Sequence, residues 1–226
     1  MAAYDCGVRL GTGYPGTPST EILETFEALG GRAQWSPNEK VAMEVAIGVA
    51  FAGARAIVTM KHVGLNVAAD PLFTAAFTRL DGALVVVSAD DPGMASSQNE
   101  QDNRRYALAA GVPMLEPSDS QEAYEFTVHA IEISERWQAP VLLRLTTRVC
   151  HAKSIVRRGT VAIPPPKAAH FEHDGAGGFA HGVHRVGDEE EGQHAADEEA
   201  DNDVGIGQVK GDGLAGHIQF VDIRGE

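Results

Sequence analysis

Residues 1 to about 153 predict an α/β fold whose parallel sheet is covered on both faces. The first sign is a set of nearly continuous apolar runs, "RAIVTMK", "GALVVVSAD" and "PVLLRLTT", in place of strict apolar–polar alternation. The second is that such runs alternate with segments of helical length, as successive βα units do. The third is that loops rich in reactive side chains follow the strand-like runs, where open α/β sheets build their sites.

Taken in order, "VRLGTGYP" reads as a strand ended by glycine and proline. "STEILETFEALGG" follows as a helix, with Ser19 or Thr20 near its start and Gly30-Gly31 as its stop. The short segment "AQWS" leads into "NEKVAMEVAIGVAFAG", whose small residues (Ala42, Ala46, Gly48, Ala50, Ala52, Gly53) suit a closely packed, buried helix. "RAIVTMK" is a strand, and "GLNVAADPLFTAAFT" a helix broken near Asp70-Pro71. "GALVVVSAD" is the clearest buried strand. "NEQDNRRYALAAG" and "SDSQEAYEFTVHAIEISERW" read as helices flanking the strand "PMLEP", and "PVLLRLTT" closes the series. The chain enters its first strand almost at once, as if an earlier helix had been trimmed.

Composition narrows the function classes. A chain of 226 residues holds one large domain or two small ones, and its net charge of −14 argues against nucleic acid or an anionic membrane as main partner. Cys6 and Cys150 form neither a disulfide framework nor a metal motif, which favours a reducing, cytoplasmic setting. No signal peptide is visible, and no apolar run approaches the roughly 20 residues of a membrane span.

After "IPPPK" the character changes, and Gly, Ala, Asp, Glu and Val dominate with little periodicity. Residues 154–226 are therefore expected to be a disordered tail, too poor in apolar surface to offset chain entropy. Those five residue types share codons beginning with G, the bias that an out-of-frame reading of a GC-rich gene would give. Its histidines (His170, His173, His181, His184, His194) lack cysteine partners and a framing fold, so no metal site is expected there.

Four loops carry candidate chemistry: "TGYPGTPSTE", "SPNEK", "TMKHVGLN" and "SADDPGMASSQNEQD". In "SPNEK", Ser36, Pro37 and Glu39 have the spacing of a capping box, so Glu39 reads either as a cap or as a free carboxyl at a strand end. Lys61 and His62 stand where a strand gives way to a loop with Gly64 and Asn66, placed to meet an anion and to move a proton. Asp90-Asp91 has the look of a metal pair but suits a loop and turn role better.

Together, "GTGYPGTPSTEILE", "WSPNEKVAMEVAIGVAFAGARAIVTMKHVGLNVAADPL", "VVVSADDPGMASSQNEQDNRRYA" and "PMLEPSDSQEA" resemble the alpha subunits of indolepyruvate ferredoxin oxidoreductases. These are thiamine diphosphate-dependent 2-oxoacid:ferredoxin oxidoreductases, and the likeness runs from about Ala2 to Lys153 in the family's order. It implies that residues 1–153 form the domain that binds the cofactor's pyrimidine, a parallel sheet of about six strands flanked by helices. It gives Glu39 the role of hydrogen-bonding N1′ of the aminopyrimidine. That bond favours the imino tautomer, whose imine takes the proton from C2 of the thiazolium.

The loop of Tyr14, Thr17 and Pro18, with Gly64, is implied to lie near the cofactor, and Thr17 to face the substrate carboxylate. Lys61 and His62 are implied to suit a pocket for aryl pyruvates. The implied reaction is oxidative decarboxylation of a 2-oxoacid such as indolepyruvate, with coenzyme A and ferredoxin, alongside a beta subunit and a second alpha subunit. Magnesium, diphosphate and iron–sulfur clusters belong to other domains of such enzymes, since two isolated cysteines cannot hold a four-iron cluster. On this resemblance the chain is a fragment without turnover of its own. The alternative is a non-catalytic binding or assembly module derived from the same domain.

Overall fold

The computed structural model describes residues 1–159, Ile163, 206–208 and 217–221. The tail histidines and most of residues 154–226 lie outside the described residues. Six strands form a parallel sheet: β1 (Leu10–Gly13), β2 (Ala33–Trp35), β3 (Ala56–Lys61), β4 (Leu84–Asp90), β5 (Met114–Glu116) and β6 (Val141–Thr146). Their order is β2-β1-β3-β4-β6-β5. Within the span read as a tail, β7 (Ile206–Gln208) and β8 (His217–Val221) are strands, and β8 pairs antiparallel with β5.

The continuous apolar runs are explained by burial from both sides. All of β4, and all but the last residue of β3 and β6, are buried. On one face lie α3 (Glu39–Phe51), α4 (His62–Val67), α5 (Ala69–Ala76) and α6 (Arg104–Ala110), packed over Val58, Met60, Val86 and Leu142. On the other lie α1 (Ala2–Asp5), α2 (Thr20–Ala28), α7 (Ser120–Trp137) and α8 (Thr147–His151), over Ile57, Val85, Val87 and Leu143. In α3 the expected small stripe is real: Ala42, Ala46 and Ala50 are wholly buried, and Thr12 Oγ1 donates to the Ala42 carbonyl at 2.7 Å. Larger side chains there would hold the helix off the sheet.

Three local expectations need adjusting. A short helix, α1, precedes the first strand and packs on α7. The break between α4 and α5 falls at Ala68, and Pro71 sits in the first turn of α5, where its missing N–H costs nothing. Helix α6 starts at Arg104 rather than Asn99, because the side chains just before it are engaged elsewhere. None of the described helices is long and apolar enough to cross a membrane.

Candidate functional site

The helices that follow β1 and β3, α2 and α4, leave the sheet toward opposite faces, so the carboxyl ends of β1 and β3 flank the switch point at which an open sheet forms its crevice. The start of α3 lies at this edge. Its N-cap is Asn38, extended at φ −161°, whose side-chain oxygen accepts from the Val41 amide at 2.9 Å. The capping box that the Ser36–Glu39 spacing allows does not form. Ser36 precedes the helix, its amide donates to the Gly13 carbonyl at 2.9 Å, and its buried hydroxyl has no partner among the described residues.

Glu39 is therefore the first helical residue, one position past the cap, where its charge suits the helix dipole but its side chain closes no turn. Its half-buried carboxyl makes no hydrogen bond or ion pair among the described residues. It rests on the bare Cα of Gly64 in α4. A Cβ there would stand 2.5 Å from Glu39 Oε1 and 2.7 Å from its Cγ. Gly64 thus makes room for a carboxyl that the local structure leaves uncommitted.

His62, at the start of α4, is wholly buried. Its Nε2 lies 3.1 Å from the Asn99 carbonyl and 3.2 Å from Asn99 Oδ1, while Nδ1 has no partner among the described residues. A proton relay through this ring requires the covering segment to move. Lys61 is half-buried between two loops: its ammonium donates to the Ser96 carbonyl at 2.5 Å, and its stem lies beside Gly16. In the first loop Tyr14 and Thr17 are exposed and Pro18 is buried after a cis peptide bond. Ser19 Oγ donates to the Gly16 carbonyl at 2.7 Å, and the Gly16 amide to Thr20 Oγ1 at 2.9 Å, closing the turn on itself.

The paired aspartates serve structure, as their sequence context suggests. Asp91 accepts from Ser97 Oγ, the Ser96 and Ala95 amides and Thr147 Oγ1, and the Ser97 hydroxyl above all holds its carboxyl well below the usual carboxylate range. Asp90 is enclosed, bonded by Ser88 Oγ at 2.8 Å and by Arg144 Nε at 2.7 Å. Arg144 also pairs with Glu116 on β5. Burial pushes the thiols of Cys6 and Cys150 up, to about 11 and about 12, so neither is a ready nucleophile or ligand.

Sequence reasoning passed over several of these residues. Arg144 interrupts the apolar run "VLLRL", and a charge inside a buried strand calls for a partner, which Asp90 supplies. Asn38 is a favoured cap type immediately before Glu39. Asn99, Gln101 and Asn103 are amides at every second position of "NEQDN", a spacing that puts them on one side of an extended segment.

A parallel sheet with a crevice at its strand ends serves many α/β enzymes, and the family match is what marks this one as a thiamine diphosphate-binding domain. Residues 1–174 match the family model of the thiamine diphosphate-binding domain of pyruvate flavodoxin/ferredoxin oxidoreductases, and the chain belongs to this family. It is 51% identical over 170 residues to the indolepyruvate oxidoreductase subunit IorA of Methanothermobacter marburgensis, covering 74% of this chain and 28% of that one. To IorA of Archaeoglobus fulgidus it is 48% identical over 167 residues, covering 70% and 27%. The chain thus spans about a quarter of the length of these curated relatives.

Among solved structures, the 2-oxoglutarate:ferredoxin oxidoreductase of Magnetococcus marinus superposes with a TM-score of 0.58 at 21% identity, over 66% of this chain and 28% of that one. Benzoylformate decarboxylase of Polynucleobacter necessarius gives a TM-score of 0.58 at 18% identity, over 73% and 32%. At such identities the two structures speak for the fold alone.

Proposed function

We propose that this chain is the pyrimidine-side part of an oxidoreductase that oxidatively decarboxylates aryl 2-oxoacids such as indolepyruvate, with coenzyme A as acyl acceptor and ferredoxin as electron acceptor. The observation that carries the reading is the uncommitted carboxyl of Glu39 over Gly64, at the strand-end crevice of a thiamine diphosphate-binding domain. The printed names of the IorA relatives support the substrate, and the much longer chains they belong to support a shared activity.

The donor set fits the pyrimidine end of thiamine diphosphate: a carboxyl with no partner among the described residues, set at the strand ends and shielded on one side by α4. When bound, the cofactor supplies the electron sink for decarboxylation. Glu39 holds and shares a proton at N1′. Tyr14, Thr17 and Pro18 belong to the loop after β1, whose Gly16 lies beside the Lys61 stem. Lys61 meets the substrate carboxylate by exchanging its bond to the Ser96 carbonyl for a charged one, which is the stronger of the two. Magnesium, the diphosphate and the iron–sulfur clusters are assigned to the rest of the enzyme, with a beta subunit and a second alpha subunit as partners.

Calorimetry with thiamine diphosphate and magnesium tests this reading, on the chain alone and on the chain joined to the remaining domains and a beta subunit. The expected result is weak binding alone, tight binding in the assembly, and 2-oxoacid-dependent dye reduction only in the assembly. Assembly without thiamine binding would identify a non-catalytic module instead.

A further inference from the structure

The segment 99–106 grips α4 from the side opposite Glu39. Asn99 lies against the His62 ring. The Gln101 amide nitrogen reaches the His62 carbonyl at 3.3 Å, Asn66 Oδ1 at 2.8 Å and Asn103 Oδ1 at 2.6 Å, and its oxygen accepts from Asn66 Nδ2 at 2.9 Å. The Tyr106 hydroxyl donates to Asn66 Oδ1 at 2.6 Å. Asn103 anchors the whole. It is wholly buried, and its amide nitrogen donates to the His62 carbonyl at 3.1 Å and to Ser88 Oγ at 2.7 Å. Its backbone amide donates to Asp90 Oδ2 at 3.1 Å, and Asp90 is locked by Arg144.

Helix α4 has only six residues and no side-chain cap of its own, so little within it fixes its first turn. That turn carries Gly64, the surface on which the Glu39 carboxyl rests.

We infer that Asn103, with Gln101, is a positioning residue for Glu39: it sets the height of α4 and so the place of the Gly64 surface beneath the carboxyl. This rests on the proposed role of Glu39 in cofactor binding, but its geometry can be read without cofactor. The link runs through a continuous chain of contacts, from the Arg144–Asp90 pair in the sheet to Asn103, the His62 carbonyl, Gly64 and Glu39.

The test is nuclear magnetic resonance on the full 226-residue chain, labelled at glutamate and glycine, following the cross-peak between Gly64 Hα and Glu39 Hγ. Its assignment comes from Glu39→Gln. Asn103→Ala should weaken that cross-peak more than two-fold and shift the Glu39 carboxyl resonance, and Gln101→Ala should do the same to a smaller degree. An unchanged cross-peak in folded Gln101→Ala and Asn103→Ala overturns the inference. Should Asn103→Ala fail to fold, Gln101→Ala decides alone, since its side chain is only half-buried.

In the assembled enzyme, Asn103→Ala should lower thiamine diphosphate affinity about 10-fold or more, as misplacement of a reactive group does. Combined with Glu39→Gln it should add nothing further; additive losses count against the link. If Glu39→Gln itself leaves thiamine affinity unchanged, the cofactor reading fails, while the cross-peak still decides whether Asn103 positions the carboxyl.

Discussion

Two helices of this domain carry a glutamate in the first turn after an Asx cap, and their carboxyls meet opposite fates. At the start of α7, Asp119 caps the Glu122 amide at 2.9 Å, and Glu122 reaches back to accept from the Ser118 amide at 2.8 Å and its hydroxyl at 2.7 Å. At the start of α3, Asn38 caps the Val41 amide, and Glu39 reaches back to no group among the described residues. The difference is position. Glu122 is third in its helix, where a carboxyl can return to the chain before the cap, and Glu39 is first, where it cannot. A carboxyl that the fold spends on a helix end is structural, and one left over at a strand-end crevice is available for chemistry.

The sharpest contrast with Glu39 is Asp90, a carboxylate fully enclosed and fully paired. Arg144→Ala should leave Asp90 buried without its countercharge and cost about 3–5 kcal/mol in urea unfolding. A loss below about 1 kcal/mol would mean that water or a shifted side chain replaces the arginine.

Gly64→Ala sharpens the comparison from the other side. Alanine is the better helix former by about 1 kcal/mol, so the melting temperature should hold or rise. The new methyl would nevertheless displace the Glu39 side chain, and assembled-enzyme turnover should fall on the order of 10-fold.

The caps themselves give smaller effects. Asn38→Ala and Glu122→Ala should each lower stability by about 1 kcal/mol, measured by thermal unfolding. Asp91 adds a pH dependence of similar size. Its folded-state pKa is depressed, so its contribution is present above the unfolded carboxyl value of about 4 and is lost as pH falls below it. Asp91→Asn should cost about 1–2 kcal/mol at neutral pH and flatten the acid limb of the stability profile. An unchanged acid limb would contradict the turn-locking role.

Much of this architecture was legible in the residues. The runs around Val58, Val86 and Leu143 announced a sheet buried on both faces, and the alanines of α3 announced its close approach to Thr12. Glu39 was legible as a candidate, and its freedom as one of two readings between which the spacing alone did not decide. The spacing of Ser36 and Glu39 satisfies a capping box in one dimension, while the preference of Asn38 for the cap is a local choice that moves the helix start from Ser36 to Asn38. The amide grip on α4 was hidden for a different reason. Asn99, Gln101 and Asn103 look like a polar helix start in sequence, and only the return of the chain beside His62 gives their side chains partners 37 to 41 residues away.

The central claim is that Glu39 serves chemistry and not the helix end. It is tested most directly by making Glu39→Gln in the assembled enzyme and measuring turnover and melting temperature together. The account predicts turnover lower by roughly 10²–10⁴-fold, the usual range for a lost acid–base group, with the melting temperature within a degree or so of wild type. Unchanged turnover with a lowered melting temperature, the behaviour expected of Glu122, would contradict it.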